Sequence, residues 1–212
     1  MKSAFTRWQK KLYGRAWNAL YLENHDHPRI ISRYGNEKFR NESGKMLATM
    51  CYMQSGTPFI YQGQEIGMLN NHLDSIDKFK DVVLLTIKGC SRSLDSPTKN
   101  ILKIANKTSR ENARTPVQWD SSEYGGFSTA EPWFGVNPNY TEINVAQQEK
   151  DPDSILNYYR KLLKVRKENP IIIYGDYEEH YHESNEIYCY ERNFNGQKTL
   201  ICAHLSDHTI TI

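Results

Sequence analysis

At 212 residues the chain is one large domain or two small ones, and 27 Lys and Arg against 25 Asp and Glu leave a formal charge of only +2. With no run of five like charges, that balance argues against a nucleic-acid-binding arm or an acidic tail. No stretch of the 38% hydrophobic residues approaches the ~18 apolar positions of a membrane-spanning helix, and 12% aromatics argues against disorder. The apolar share is low for a self-contained globule of this length.

Residues 3–14 place Phe5, Trp8 and Leu12 at i, i+3 and i+7, which predicts a basic helix with one apolar stripe. Ala19-Leu20-Tyr21-Leu22 is a short apolar run suited to a buried strand, and it ends in the polar cluster Glu23-Asn24-His25-Asp26-His27-Pro28-Arg29. A second helix is expected over 43–55, with Met46, Leu47, Met50, Cys51 and Met53 on a broad face and Gly56 as its stop. Thr57-Pro58-Phe59-Ile60-Tyr61 is a second candidate for a buried strand. Strand, helix and strand with short connections predict a βαβ unit, hence a parallel sheet and an α/β class.

Residues 68–150 hold few periodic segments and many Asn, Ser, Pro and Gly. So long an excursion in a compact domain is expected to be functional, such as an active-site wall, with some helix within 80–104. From 151 the pattern sharpens. Asp151 suits an N-cap, Pro152 the first helical position, and Ile155, Leu156, Tyr159, Leu162 and Leu163 mark an amphipathic helix that stops before Asn169-Pro170. Beyond Pro170 the period becomes two: 171–174, 187–190 and 199–203 read as strands, with Asn195-Gly196 as a hairpin turn and Thr209–Ile212 as the start of another. The chain thus divides into an α/β portion over 1–169 and an antiparallel portion over 170–212.

Cys51, Cys90, Cys189 and Cys202 lack zinc-ligand spacing, so no metal site is expected and the thiols read as small buried hydrophobes. The N-terminus has no apolar signal-peptide core, which points to the cytoplasm.

Two clusters carry chemistry. Asn24-His25-Asp26 follows a buried parallel strand, where a carboxylate beside an imidazole is suited to gripping sugar hydroxyls. Asp26 is equally suited to capping a turn before Pro28. In Arg110-Glu111-Asn112-Ala113-Arg114, two arginines four apart followed by Trp119 suit a polar ligand, or a solvated surface pair. The aromatic stretch Trp133-Phe134-Gly135-Val136-Asn137-Pro138-Asn139-Tyr140 is either a sugar platform or packing for the long loop. No phosphate-binding glycine loop or Ser/His/Asp triad motif is present, so no cofactor is expected.

Five ordered strings, ENHDHPRIISRYGN at 23–36, SGTPFIYQGQEIGM at 55–68, SRENARTPVQWD at 109–120, GVNPNYTEINV at 135–145 and DPDSILNYYRKLLKVRKENP at 151–170, resemble the α-glucosidase branch of the α-amylase superfamily, glycoside hydrolase family 13. That branch includes oligo-1,6-glucosidases, dextran glucosidases and trehalose-6-phosphate hydrolases. The resemblance implies the C-terminal part of a TIM (β/α)8 barrel followed by the start of an antiparallel β-sandwich. It also implies an α-glucoside oligosaccharide as partner, with no nucleic acid and no membrane. Asp26 would stabilise the oxocarbenium-like transition state, and His25, Asn24, Arg110 and Arg114 would bind substrate. His27, Gln64 and Val117 depart from the commoner Gln, Glu and Met of the branch.

Retaining hydrolysis needs a nucleophile and an acid/base carboxylate about 5–5.5 Å apart, and the resemblance assigns neither role to a residue of this chain. A closed barrel needs eight strands and ~250 residues, of which two strands are expected here. The chain alone is therefore expected to be inactive and poorly folded, with a missing N-terminal segment of the same enzyme as a possible partner. A trehalose-6-phosphate hydrolase, or a non-catalytic sugar-binding remnant, are the competing expectations.

Overall fold

The computed structural model describes residues 1–81 and 98–211. In chain order its regular elements are α1 (Lys2–Leu12), β1 (Ala19–Tyr21), α2 (Ile30–Tyr34), α3 (Arg40–Tyr52), β2 (Thr57–Phe59), α4 (Thr98–Thr108), α5 (Val145–Lys150), α6 (Ile155–Glu168), α7 (Pro170–Tyr174), β3 (Glu178–His180), β4 (Ile187–Phe194) and β5 (Gln197–His204). Two compact units emerge, one of residues 1–22, 42–59 and 158–212, the other of 23–41 and 60–157.

In the first unit, β1 and β2 pair in parallel, with Leu20 opposite Pro58, so the expected βαβ arrangement forms around α3. Leu20 is buried, as are Leu47, Met50 and Cys51 of α3. The two strands are not buried on both faces, however: Tyr21 is 50% and Phe59 56% exposed. Alternation along these strands, rather than a continuous apolar run, decides which side chains are covered.

One guanidinium secures the end of α3. Arg166 of α6 donates to the carbonyl oxygens of Tyr52 at 2.7 Å, Gln54 at 2.5 Å and Gly56 at 2.5 Å. The last carbonyl of α3, which no helical N–H can reach, and two carbonyls of the turn beyond it are thereby satisfied.

The antiparallel sheet has the order β3-β4-β5. Asn195 (φ 50°) and Gly196 (φ 79°) make the two-residue turn between β4 and β5 expected from the sequence. Tyr188, Tyr190, Ile201 and Ala203 form a core cluster with Met50, against which Phe5, Met46 and Met53 pack.

Four expectations are corrected. Ile171–Tyr174 is a short helix, not a strand, because Pro170 presets the first helical φ and Gly175 donates back to the Ile171 carbonyl at 3.0 Å. The cap of α6 is Ser154, whose Oγ accepts the Asn157 N–H at 3.2 Å; Asp151 instead closes a turn by accepting the N–H of Asp153 at 2.9 Å. Thr209–Thr211 forms no strand, and Ile212 lies outside the described residues. Cys189 and Cys202 are not separate thiols: they stand opposite each other in the β4/β5 register and are joined as a disulfide. Cys51 is a buried free thiol, and Cys90 lies outside the described residues.

The second unit is mostly irregular, as the composition of 68–150 predicts, and contains single 3₁₀ turns at Glu37–Phe39, Ile76–Lys78, Arg110–Ala113 and Pro138–Thr141. Of the helix expected within 80–104, α4 accounts for the described part. Its apolar clusters are small: Ile76, Phe79 and Ala105 in one, Ile66, Met68 and Leu156 in another. Buried backbone must find polar partners, and here asparagine side chains supply them. Asn106 exchanges two bonds with the backbone of Leu73, Asn71 N–H donates to Asn112 Oδ1, and Asn137 donates to the Asn70 carbonyl. Gly67 (φ 63°) turns where an added Cβ would stand 2.4 Å from Ile155 Cδ1, so only glycine fits.

Candidate active site

The site is built in the second unit, on the loop after β1 and on the 3₁₀ turn Arg110–Ala113. Asn24 Oδ1 accepts the Asp26 N–H at 2.8 Å, an Asx turn that lifts the following carboxylate clear of the backbone. Asn24 therefore caps the loop, and Asp26 is left to other partners.

Those partners are the two arginines. Arg114 donates from Nη2 to Asp26 Oδ1 at 3.0 Å and from Nε to the His25 carbonyl at 2.9 Å, so one fork grips side chain and backbone of the same loop. Arg110 Nη1 lies 3.6 Å from the same Oδ1. His25 Nε2 stands 3.2 Å from Asp26 Oδ2. The side chains of His25 and Asp26 are 69% and 50% exposed, so this imidazole–carboxylate pair faces solvent.

Behind them stands Asp81, whose side chain is only 4% exposed. It takes Arg110 in both oxygens, Nη2 reaching Oδ1 at 2.9 Å and Nε reaching Oδ2. This pairing pushes the Arg110 guanidinium further above its usual range. Glu111 Oε1 accepts the backbone N–H groups of Lys80 and Asp81, fixing the carboxylate's approach. Burial raises the Glu111 carboxyl above its ordinary value. The result is an alternating row, Asp81, Arg110, Asp26, Arg114, with two charges of each sign.

Four of the five expected residues, His25, Asp26, Arg110 and Arg114, thus meet through side-chain contacts, and the Asn24 side chain supports them by accepting the Asp26 backbone N–H. Both arginines point at Asp26, with side chains 36% and 29% exposed. Sequence reasoning missed Asp81, which lies 29 residues before Arg110 in a stretch without periodicity. It also passed over Glu111, although that residue sits inside the string. Trp133 is 72% exposed and Asn137 is buried, so the aromatic run projects at one end and packs at the other. Among the described residues no group of three or more His, Cys, Asp or Glu could hold a metal ion, and no helix is long and apolar enough to cross a membrane.

Residues 1–175 match the model of the alpha amylase catalytic domain. The chain belongs to the alpha-amylase family. It is 46% identical over 202 residues to an oligo-1,6-glucosidase of Halalkalibacterium halodurans, covering 95% of this chain and 36% of the relative. To a trehalose-6-phosphate hydrolase of Escherichia coli it is 40% identical over 207 residues, covering 97% of this chain and 38% of the other. The crystal structure of trehalose-6-phosphate hydrolase from Bacillus licheniformis superposes with a TM-score of 0.93 at 43% identity, over 96% of this chain and 37% of that one. The chain therefore spans little more than a third of the length of these relatives, and its α/β architecture is that of part of the alpha-amylase catalytic domain.

Proposed function

We propose that this chain supplies one wall of the sugar site in an α-glucosidase-type glycoside hydrolase. The reaction is retaining hydrolysis of terminal α-1,6- or related α-glucosidic bonds in short oligosaccharides, in cytoplasmic carbohydrate catabolism. In this reading β1 and β2 are the last two strands of a (β/α)8 barrel, α6 is its last helix, and 170–212 opens a β-sandwich domain. The observation that carries the reading is the Asp26 carboxylate, half exposed and held by Arg114 with Arg110 beside it.

A fixed carboxylate at that position accepts hydroxyl hydrogens of a bound glucose and opposes the positive charge that develops at its anomeric carbon. His25 donates to the same sugar, while Arg110, locked by Asp81, presents its remaining N–H groups to a terminal hydroxyl. Because the row already balances its charges, its donors do not have to reorient when the sugar flattens. The nucleophile and the acid/base carboxylate belong to the part of the relatives' length that this chain does not span.

The test is a chimera in which all 212 residues replace the matching third of the H. halodurans enzyme. It is expected to hydrolyse isomaltose and p-nitrophenyl α-glucoside, and Asp26→Asn to lower kcat/KM about 1000-fold. A folded chimera that binds glucose without turnover would instead support a sugar-binding remnant. Preference for trehalose 6-phosphate over isomaltose would move the substrate to the phosphorylated disaccharide.

A further inference from the structure

Glu23 and Arg29 flank the loop that carries Asp26, and their side chains meet across its base. Both are buried, Arg29 at 0% and Glu23 at 3% exposure. Arg29 Nη1 donates to Glu23 Oε2 at 3.0 Å, and Glu23 Oε1 accepts the Ile30 N–H at 2.8 Å. The loop between them, Asn24 to Pro28, is thus closed at its base by an ion pair.

The same guanidinium reaches two other segments. Nη1 also donates to the Gln62 carbonyl at 2.6 Å, beyond β2, and Nε to the Asn112 carbonyl at 3.2 Å, midway between Arg110 and Arg114. Its face lies over the Tyr61 ring, 5.7 Å from the centroid, and the Tyr61 hydroxyl donates to the Ala113 carbonyl at 3.1 Å. The Arg29 backbone N–H is taken by Asn70 Oδ1 at 2.9 Å.

We infer that Arg29, charge-balanced by Glu23, is a positioning residue that sets the distance between Asp26 and Arg114. Its side chain joins the base of the Asp26 loop to the peptide between the two arginines, so a shift there moves both halves of the sugar site. A planar fork with five donors can serve three segments at once; a lysine ammonium has three donors around a single point and no plane to lie over Tyr61. The consequence for catalysis rests on the proposed reading of Asp26 as the sugar-facing carboxylate.

The inference is tested in the chimera with Glu23→Gln, Arg29→Lys and Arg29→Met, read in two ways. In protein labelled with ¹⁵N-arginine, the Arg114 Nε–H resonance, set by its bond to the His25 carbonyl, should move toward the free-arginine position in Arg29→Met and Glu23→Gln. The Arg166 and Arg192 signals from the first unit should stay in place, which reports that the variant is folded. In the activity assay, kcat/KM should fall about 100-fold in Arg29→Met, with KM and the inhibition constant for glucose rising together. Arg29→Lys, keeping the charge but not the Asn112 contact, should recover only part of that loss.

A purely structural role would lower the melting temperature and the active fraction while leaving KM, glucose inhibition and the Arg114 resonance unchanged, and that result overturns the inference. Should Arg29→Met fail to fold, the near-isosteric Glu23→Gln decides by the same measurements. Should the unsubstituted chimera lack activity, the functional reading fails, and the Arg114 resonance still decides whether Arg29 positions the site.

Discussion

Arg114 bonds Asp26 through both the carboxylate and the neighbouring His25 carbonyl, so its removal costs the loop two anchors at once. In the chimera, Arg114→Ala is expected to lower kcat/KM about 100-fold, and Arg114→Lys to recover little of it, because an ammonium cannot make both bonds in one plane. Asp81→Asn leaves an amide that still accepts one arginine bond, so KM should rise about tenfold with a smaller change in kcat. Steady-state kinetics on isomaltose distinguish the two patterns, and equal losses in both variants would contradict the division of labour. At this scale the site is largely legible, since Asn24-His25-Asp26 and Arg110 to Arg114 are contiguous strings whose chemistry shows in the letters. Asp81 is not, because its role depends on a bond to a residue 29 positions away through a segment with no repeat. Glu23 and Arg29 stand in plain sight as charges beside the motif, and only their burial shows that they are not solvated.

Among elements, the βαβ order of β1, α3 and β2 is legible because hydrophobic period and length agree, whereas α7 is not. Ile171-Ile172-Ile173 favours a strand by local propensity, yet Pro170 at the first helical position, with the adjacent Ile171 and Ile172 both buried, makes a helical turn the better solution. The start of α6 is misread from the letters for a similar reason: Asp, Pro and Ser are all cap-forming types, and only the geometry shows that Ser154 takes the helical N–H. Ser154→Ala should therefore destabilise α6 by about 1 kcal/mol, while Asp151→Ala costs the helix itself little, as urea melts followed by circular dichroism would show. Glu65 offers a pH test, since its Oε2 is buried with no hydrogen-bond partner among the described residues and burial raises its carboxyl above the ordinary range. A raised carboxyl contributes stability below its unfolded value of 4.5, and that contribution is lost as pH rises through the folded value. Glu65→Gln should thus be more stable than the parent at pH 7, by about 1 kcal/mol, and indistinguishable from it near pH 3.

For the whole molecule, the low apolar share signals incomplete cover, and the parallel strands show where. Parallel sheets are normally covered on both faces, yet Tyr21 and Phe59 stand half exposed on neighbouring strands. The chain alone should bind the dye ANS at this face, Tyr21→Ser with Phe59→Ser should weaken that binding without lowering the melting temperature, and the chimera should bind little. The division of work between distant segments is the part least open to reading, because composition says nothing of which residue meets which. Arg166 is a case of it. The carbonyl of Gly56, just ahead of β2, waits for a side chain made 110 residues later. At translation rates of about 5–20 residues per second, that interval is roughly 5–20 s. Through that time the growing polypeptide carries the approach to its second parallel strand without the latch that the finished fold places there.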